Sequence, residues 1–472
     1  MRVARLAAAA ALVAQVPAAP CAAQAREVWV SEDGRSTLEL RAFYKLFGAG
    51  IRLQPGLHDG SEALADLLQR VRAERPGVEV PDALALPAHG ASAAQTVRGW
   101  GRLLIKNRVE LSAGWQVDGT LATNRALVGT SGLGGSVPVT GTQVSSRRLT
   151  DFDRVIADRG EFLLQQNLDL LAVKFILPKG ELVVGRQVLS WGTGRFWNPT
   201  DLLSPFAPTD VDREVRHGVD AVRFSMPLGN TALLDLLYLP QKEGWAQGGV
   251  ARAQANVGSF DISLSAAKYV SDVVLGTDAA GDVGPLGVHA EIAYTLALEN
   301  LGTPGPVEVG ERFVRGVAGV EWRPAGKWVL GGEYYFNGFG AAEVPGYVLK
   351  LQSDRVARGE VFGAGRHYLG FTAAWQATDL LTLQTLVVTN LGDPSALVVP
   401  VLEHWARQRV IVRAGGYIPL GAAPDPEPLR RLTVGDVLTR SAAFTSATSS
   451  LGLASEYGAS PAGLFAQLGI YF

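Results

Sequence analysis

Residues 182–224 read LVVGRQVLSWGTGRFWNPTDLLSPFAPTDVDREVRHGVDAVRF: two strand-like runs bracketing a loop dense in charge and aromatic rings. Arg186, Arg195, Asp201, Asp210, Asp212, Arg213, Glu214, Arg216, Asp220 and Arg223 alternate in sign closely enough to form a web of ion pairs. Asn198-Pro199-Thr200-Asp201 is a turn builder, and Pro205 and Pro208 stiffen the chain beyond it. A stiff loop of residues 190–217 that folds inward would narrow a pore. Two chemistries are open to its charges: contact with a passing solute, or pairing with one another to hold the loop against a wall. Trp191, Phe196 and Trp197 are the candidates for a stacking platform facing such a lumen. An inward direction for Arg186 is an assumption, because Val184 and Val188 share its parity.

The signatures of an enzyme are lacking. There is no G-x-S-x-G elbow, no phosphate-cradling G-x-x-x-x-G-K, no H-E-x-x-H and no paired C-x-x-C. The six histidines are scattered without metal-ligand spacing, so neither a metal nor a cofactor is expected. A hydrolase acting on lipid or ester, with a Ser-His pair assembled across strands, stays open as an alternative because such sites need not be local in sequence.

The elements that would carry the loop are strands. Ala251, Ala253, Ala255 and Val257 lie on one face of 250–257, and Arg252, Gln254 and Asn256 on the other. Similar alternation runs through 260–266, 288–296 and 367–375, at lengths that suit a tilted membrane strand. The polar faces supply Arg252, Arg315, Arg409 and Arg413 against Asp261, Glu291, Glu321 and Glu333, a balance that predicts no strong preference for anions or cations. Trp245, Trp322, Trp328, Tyr334, Tyr335, Trp375 and Trp405 fall near strand ends and are expected at headgroup level.

Connections alternate in length. Turns at 178–180, 227–230, 324–326 and 377–379 are short; 190–217, 271–286, 337–365 and 419–449 are read as long loops. Short turns inside and long loops outside are the habit of outer-membrane barrels. The fold class expected is therefore all-β, a transmembrane antiparallel up-and-down barrel of 16–18 strands. Eighteen is favoured by parity, with hidden strands sought in 118–160 and 298–314. A helix capped by Ser61, with Leu64, Leu67, Leu68 and Val71 on one stripe, is placed in the first long loop, and a weaker one around 429–438.

The two ends agree with that fold. Arg2 and Arg5, the apolar run 6–14 and Ala23-Gln24-Ala25 read as a cleavable secretory signal over 1–25, leaving 26–472 as a single barrel domain. Cys21 is the one cysteine, so the mature chain would have no disulfide. At the other end Leu464, Ala466, Leu468, Ile470 and Phe472 share a face. A closing strand of that kind would pair with the first, near Leu38 to Tyr44, and leave no exposed edge. Charged residues are 19% of the chain, with 43 Lys plus Arg against 45 Asp plus Glu, and no basic excess points to nucleic acid.

Gly185-Arg186-Gln187, the following aromatic-Gly and Arg195 resemble a pattern of porin-like Gram-negative outer-membrane families, including the alginate-export type and barrels without assigned substrate. The carboxy-terminal strand resembles the signal by which such barrels meet their assembly machinery. The resemblance implies an outer-membrane channel for a small polar or amphipathic solute, surrounded by lipid. A structural barrel without flux is a further alternative, and the sequence specifies neither the solute nor the oligomeric state.

Overall fold

The computed structural model describes residues 26–76, 85–123, 148–150, 152–210, 212–214, 216, 218–299, 301 and 307–472. The signal segment with Cys21, the stretch 124–147 and His217 lie outside the described residues. In chain order the first strands are β1 (Arg26–Val30), β2 (Thr37–Arg52), β3 (His89–Ile105), β4 (Val109–Thr123), β5 (Arg154–Arg159), β6 (Phe162–Leu177) and β7 (Gly180–Gln187). Then come β8 (Val219–Leu228), β9 (Ala232–Leu239), β10 (Gly248–Val257), β11 (Phe260–Tyr269), β12 (Asp272–Val283) and β13 (Leu286–Glu299). The last are β14 (Glu308–Trp322), β15 (Trp328–Asn337), β16 (His367–Thr378), β17 (Leu381–Asn390), β18 (Ser395–Arg407), β19 (Val410–Leu420) and β20 (Ala462–Tyr471).

Each strand from β6 onward pairs antiparallel with the next, β4 pairs with β6, and β20 returns to β2. With β1 and β5 set aside as short additions to β2 and β6, this is a closed barrel of 18 strands. Closure pairs Phe43 through Arg52 with Tyr471 back to Ala462, higher on β2 than the segment expected, because residues 37–40 pair instead with β1. A cylinder of this kind has no open edge between its first and last strands.

Alternation sorts the side chains. Leu264, Leu275, Ile292, Phe371 and Leu464 point out and are exposed, while Ser263, Asp278, Glu291 and Glu333 on the opposite parity are buried. Trp322, Trp328, Tyr334 and Trp375 are exposed on the outside, and the rings of Trp328 and Trp375 stack at 5.7 Å. Two aromatics assigned to that girdle face inward instead. Tyr335 is register-matched to inward Val317 and is buried, and Trp405 shares the parity of inward Val399 and Val401 and stacks on inward Tyr471.

The segment 271–286 is not a loop but β12 and the turn after it. Gly276, Ala279, Ala280 and Gly281 thin the alternation, yet every residue from Asp272 to Gly281 has a partner on β11. Neither 118–160 nor 298–314 supplies a crossing in the described residues: β5 only extends the sheet beside β6, and β13 and β14 flank the second stretch directly.

Helices gather at the end carrying the long connections. They are α1 (Pro55–Glu74), α2 (Tyr347–Leu351), α3 (Asp354–Ala357), α4 (Glu427–Arg430), α5 (Val434–Thr439) and α6 (Ala442–Ser450). α1 begins at Pro55, which suits a first turn, so Ser61 is not its cap but sits inside it, its hydroxyl donating to the His58 carbonyl at 2.7 Å. The expected stripe is correct: Leu67, Leu68 and Val71 are buried against Leu429, Leu432 and Val437 of the last loop. The weaker helix is two helices, α4 and α5, the second opened by a capping box of Thr433 and Asp436.

Candidate functional site

The loop between β7 and β8 leaves the wall and crosses the interior. Leu189, Leu202 and Leu203 pack on inward-facing Leu237, Val250, Ala267 and Val274 of β9 to β12. The tip then reaches β13 and β15, where two wall carboxylates hold its backbone. Glu291 accepts from the N–H groups of Thr193, Gly194 (2.7 Å) and Thr200 (3.2 Å) and from the Thr200 hydroxyl (2.8 Å). Glu333 accepts from the N–H groups of Arg195 (2.7 Å) and Phe196 (2.8 Å). A carboxylate taking several backbone donors is a strong, charge-assisted anchor. The tip turns tightly enough that a Cβ on Gly194 would lie 1.9 Å from the Trp197 carbonyl oxygen, and Gly192 has a φ of +99°.

Beyond the tip, Phe196 packs over Gly370, and Trp197 stacks on Tyr335 at 5.1 Å and contacts Tyr368 at 5.9 Å. These rings join an apolar sector of the inner wall made by Phe47, Val388, Leu397, Val399, Val401, Tyr417 and Phe465. An apolar patch spanning β17 to β20 and β2 is unusual on the inner wall of a barrel whose interior holds water. Phe196 and Trp197 are only 2% and 3% exposed, so they are engaged with that wall rather than presented as an open platform. Trp191 is half-buried, with the Arg252 guanidinium 5.7 Å from its ring centroid.

The returning limb is held by side chains. The Lys45 ammonium lies 2.6 Å from both Asp212 and Glu214. Gln467 donates to Asp212 at 2.8 Å, and the Tyr471 hydroxyl donates to Glu214 at 2.8 Å. Burial pushes the Asp212 carboxyl up, but Lys45 beside it more than reverses this and leaves it below the ordinary range. Asp201 accepts from Ser190 (2.9 Å), Arg216 (2.8 Å) and the Ser204 N–H (3.1 Å); its burial outweighs those partners and raises its pKa. Asp210 caps the Ala207 N–H at 2.8 Å. Arg213 spends its donors on the carbonyls of Arg195 (2.6 Å), Pro208 (2.7 Å) and Asp210 (3.1 Å), tying the two limbs together.

Most sequence-predicted charges thus meet in or on this loop, with Arg195 also paired to Glu321. Four do not. Arg186 is set in register with Asp220 and with outward Leu171, at the point where β7 parts from β6. Its guanidinium bonds Asp220 (2.8 Å), the Leu168 carbonyl (2.8 Å) and the Thr150 carbonyl, with the Phe152 ring beneath it. The inward direction assumed for Arg186 is therefore wrong, and Arg186 and Asp220 seal the wall. Arg223 pairs with Asp235 across β8 and β9, and Arg409 lies in the turn between β18 and β19 rather than on a lumen face.

The other lumen candidates are inward and paired. Arg252 lies 3.6 Å from Asp278, Asp261 accepts from Asn256, Arg315 bonds the Glu360 carbonyl, and Arg413 pairs with Glu403. Sequence reasoning missed Lys45, Gln467, Tyr368 and Tyr471. For Lys45 a signal existed: it is the lone charge between Phe43 and Phe47 on one strand face. Among the described residues no group of three or more His, Cys, Asp or Glu is placed to hold a metal ion.

No protein-family model and no curated protein matches the sequence. Solved structures do match. The structure of Acinetobacter baumannii OccAB2 is similar over 92% of this chain and 98% of its own, with 8% identity and a TM-score of 0.51. The fold is that of a porin-like β-barrel. OccK5 (OpdH) of Pseudomonas aeruginosa covers 92% of this chain and 97% of its own at 8% identity and a TM-score of 0.48. OmpF of Salmonella typhi, solved with daunomycin, covers 95% and 100% at 9% identity and 0.42. At such identities the porin-like barrel is a likeness of fold.

Proposed function

We propose that the chain is a bacterial outer-membrane channel for small polar or amphipathic solutes, its lumen narrowed by the 190–217 loop. The observation that carries this is the loop's path: it leaves β7, grips Glu291 and Glu333 on β13 and β15, and returns across Lys45 on β2. A segment anchored on such separated strands must lie across the passage. The passage has two kinds of wall, paired charges such as Arg223–Asp235 and Arg252–Asp278 on β8 to β12, and the apolar sector of β17 to β20. A solute with both a polar and an apolar side finds partners on each. The exposed outward belt and the apolar face of β20 support placement in a lipid bilayer, with β20 as the element read by the assembly machinery.

Planar-bilayer recording tests the constriction. Deleting residues 194–208 is expected to raise single-channel conductance and relax solute size exclusion in a barrel that still inserts. Insertion with unchanged conductance and exclusion would remove the loop from the passage.

A further inference from the structure

We propose that the returning limb of the same loop has a second role, as a clasp across the seam where the barrel closes. β2 and β20 lie at opposite ends of the sequence, and bringing such distant segments together carries a loop-closure cost. Their ladder from Phe43 to Arg52 is what shuts the cylinder. Lys45 sits opposite Gly469, which has no side chain, and the inward neighbours of Gly469 on β20 are Gln467 and Tyr471. Into that gap the loop places two carboxylates. Asp212 takes the Lys45 ammonium of β2 at 2.6 Å and the Gln467 amide of β20 at 2.8 Å. Glu214 takes the same ammonium at 2.6 Å and the Tyr471 hydroxyl of β20 at 2.8 Å.

Each carboxylate therefore holds one group from each side of the seam. Mere docking of the loop would need only one strand. The chain of bonds continues along the wall: Arg413 of β19 donates to Gln467 at 2.8 Å and to Glu403 of β18 at 2.8 Å, so four consecutive strands share one network that the loop completes at the seam. Lys45, Gln467 and Tyr471 are 3%, 5% and 6% exposed, which shields these bonds from bulk water and makes an unpaired member costly.

The test is hydrogen exchange on the purified full chain in detergent, read by peptide. In the Asp212→Asn/Glu214→Gln variant, amides of 43–52 and 462–471 are expected to exchange at least about tenfold faster, with those of 248–283 unchanged as an internal reference. Equal protection in both regions, or a uniform loss in both, overturns the clasp. Should that variant fail to fold, Tyr471→Phe removes a single hydroxyl and decides the matter. It is expected to give a several-fold increase confined to the seam, and no seam-specific change overturns the proposal. Exchange is read without current or solute, so this result and the conductance result stand or fall separately.

Discussion

The outgoing and returning limbs of the inner loop are held by opposite means. On the way out, the wall supplies the charges and the loop supplies its backbone: Glu291 and Glu333 accept from the N–H groups of residues 193–196 and 200. On the way back the loop supplies charges of its own, Asp212 and Glu214, to Lys45 and two polar groups on the wall. A backbone grip is indifferent to loop side chains but demands one conformation, which the tight turn at Gly194 provides. A side-chain grip tolerates backbone change but depends on the identity of the loop residues. The two limbs should therefore fail under different perturbations.

The sharpest separation comes from the wall. Glu291→Ala with Glu333→Ala leaves a row of tip N–H groups without acceptors, each worth about 1–3 kcal/mol where water cannot replace them. The tip is expected to detach while the returning limb stays. A cysteine at Thr193, blocked in the parent, should then react with an impermeant maleimide, and conductance should rise. Next in size is Trp197→Ala, which removes a buried ring at a cost of about 3–5 kcal/mol. It should loosen the tip's apolar hold with the carboxylates intact, giving partial labelling at the same cysteine. Arg213→Ala orphans carbonyls on both limbs at about 2 kcal/mol and should produce noisy, gating currents rather than a steadily wider pore.

Acid gives the smallest expected effect and is read here at the returning limb. The Asp212 carboxyl is held below its ordinary 3.8 by Lys45 after burial has pushed it the other way. Its contribution is therefore complete above that ordinary value and is lost as pH falls through the lower folded-state value. Hydrogen exchange of β20 should be flat from neutral pH down to about 4, once corrected for intrinsic rates, and rise below it. A rise that starts near neutrality would assign the hold to another group.

Legibility followed the same division. Alternation exposed the barrel and singled out Glu291, Glu333 and the loop charges, because side-chain periodicity is written in residue types. What it could not express was the partner. Glu291 and Glu333 bind peptide N–H groups, which every residue but proline carries, so nothing in 193–196 marks them as ligands. Arg186 was misplaced for a related reason: Val184 and Val188 signalled an outward face, and the charge looked like the exception rather than the member of a sealed wall pair. β12 was hidden by its own glycines and alanines, which lie on both faces, Gly276 and Ala280 inward and Ala279 and Gly281 outward, and so erase the hydrophobic contrast between them.

The apolar sector behind Phe196 and Trp197 has a consequence for the electrical behaviour of any open state. If those rings swing away and nothing replaces them, the slot they leave is bounded on one side by Val388, Leu397, Val399 and Val401. Liquid water in a narrow space beside such a surface is prone to evaporate, and a dewetted stretch blocks ions as firmly as a side chain does. Openings would then be recorded as brief bursts, with flicker set by filling and emptying of the slot. Placing a hydroxyl on that wall, as in Val399→Thr, should lengthen the bursts without enlarging them.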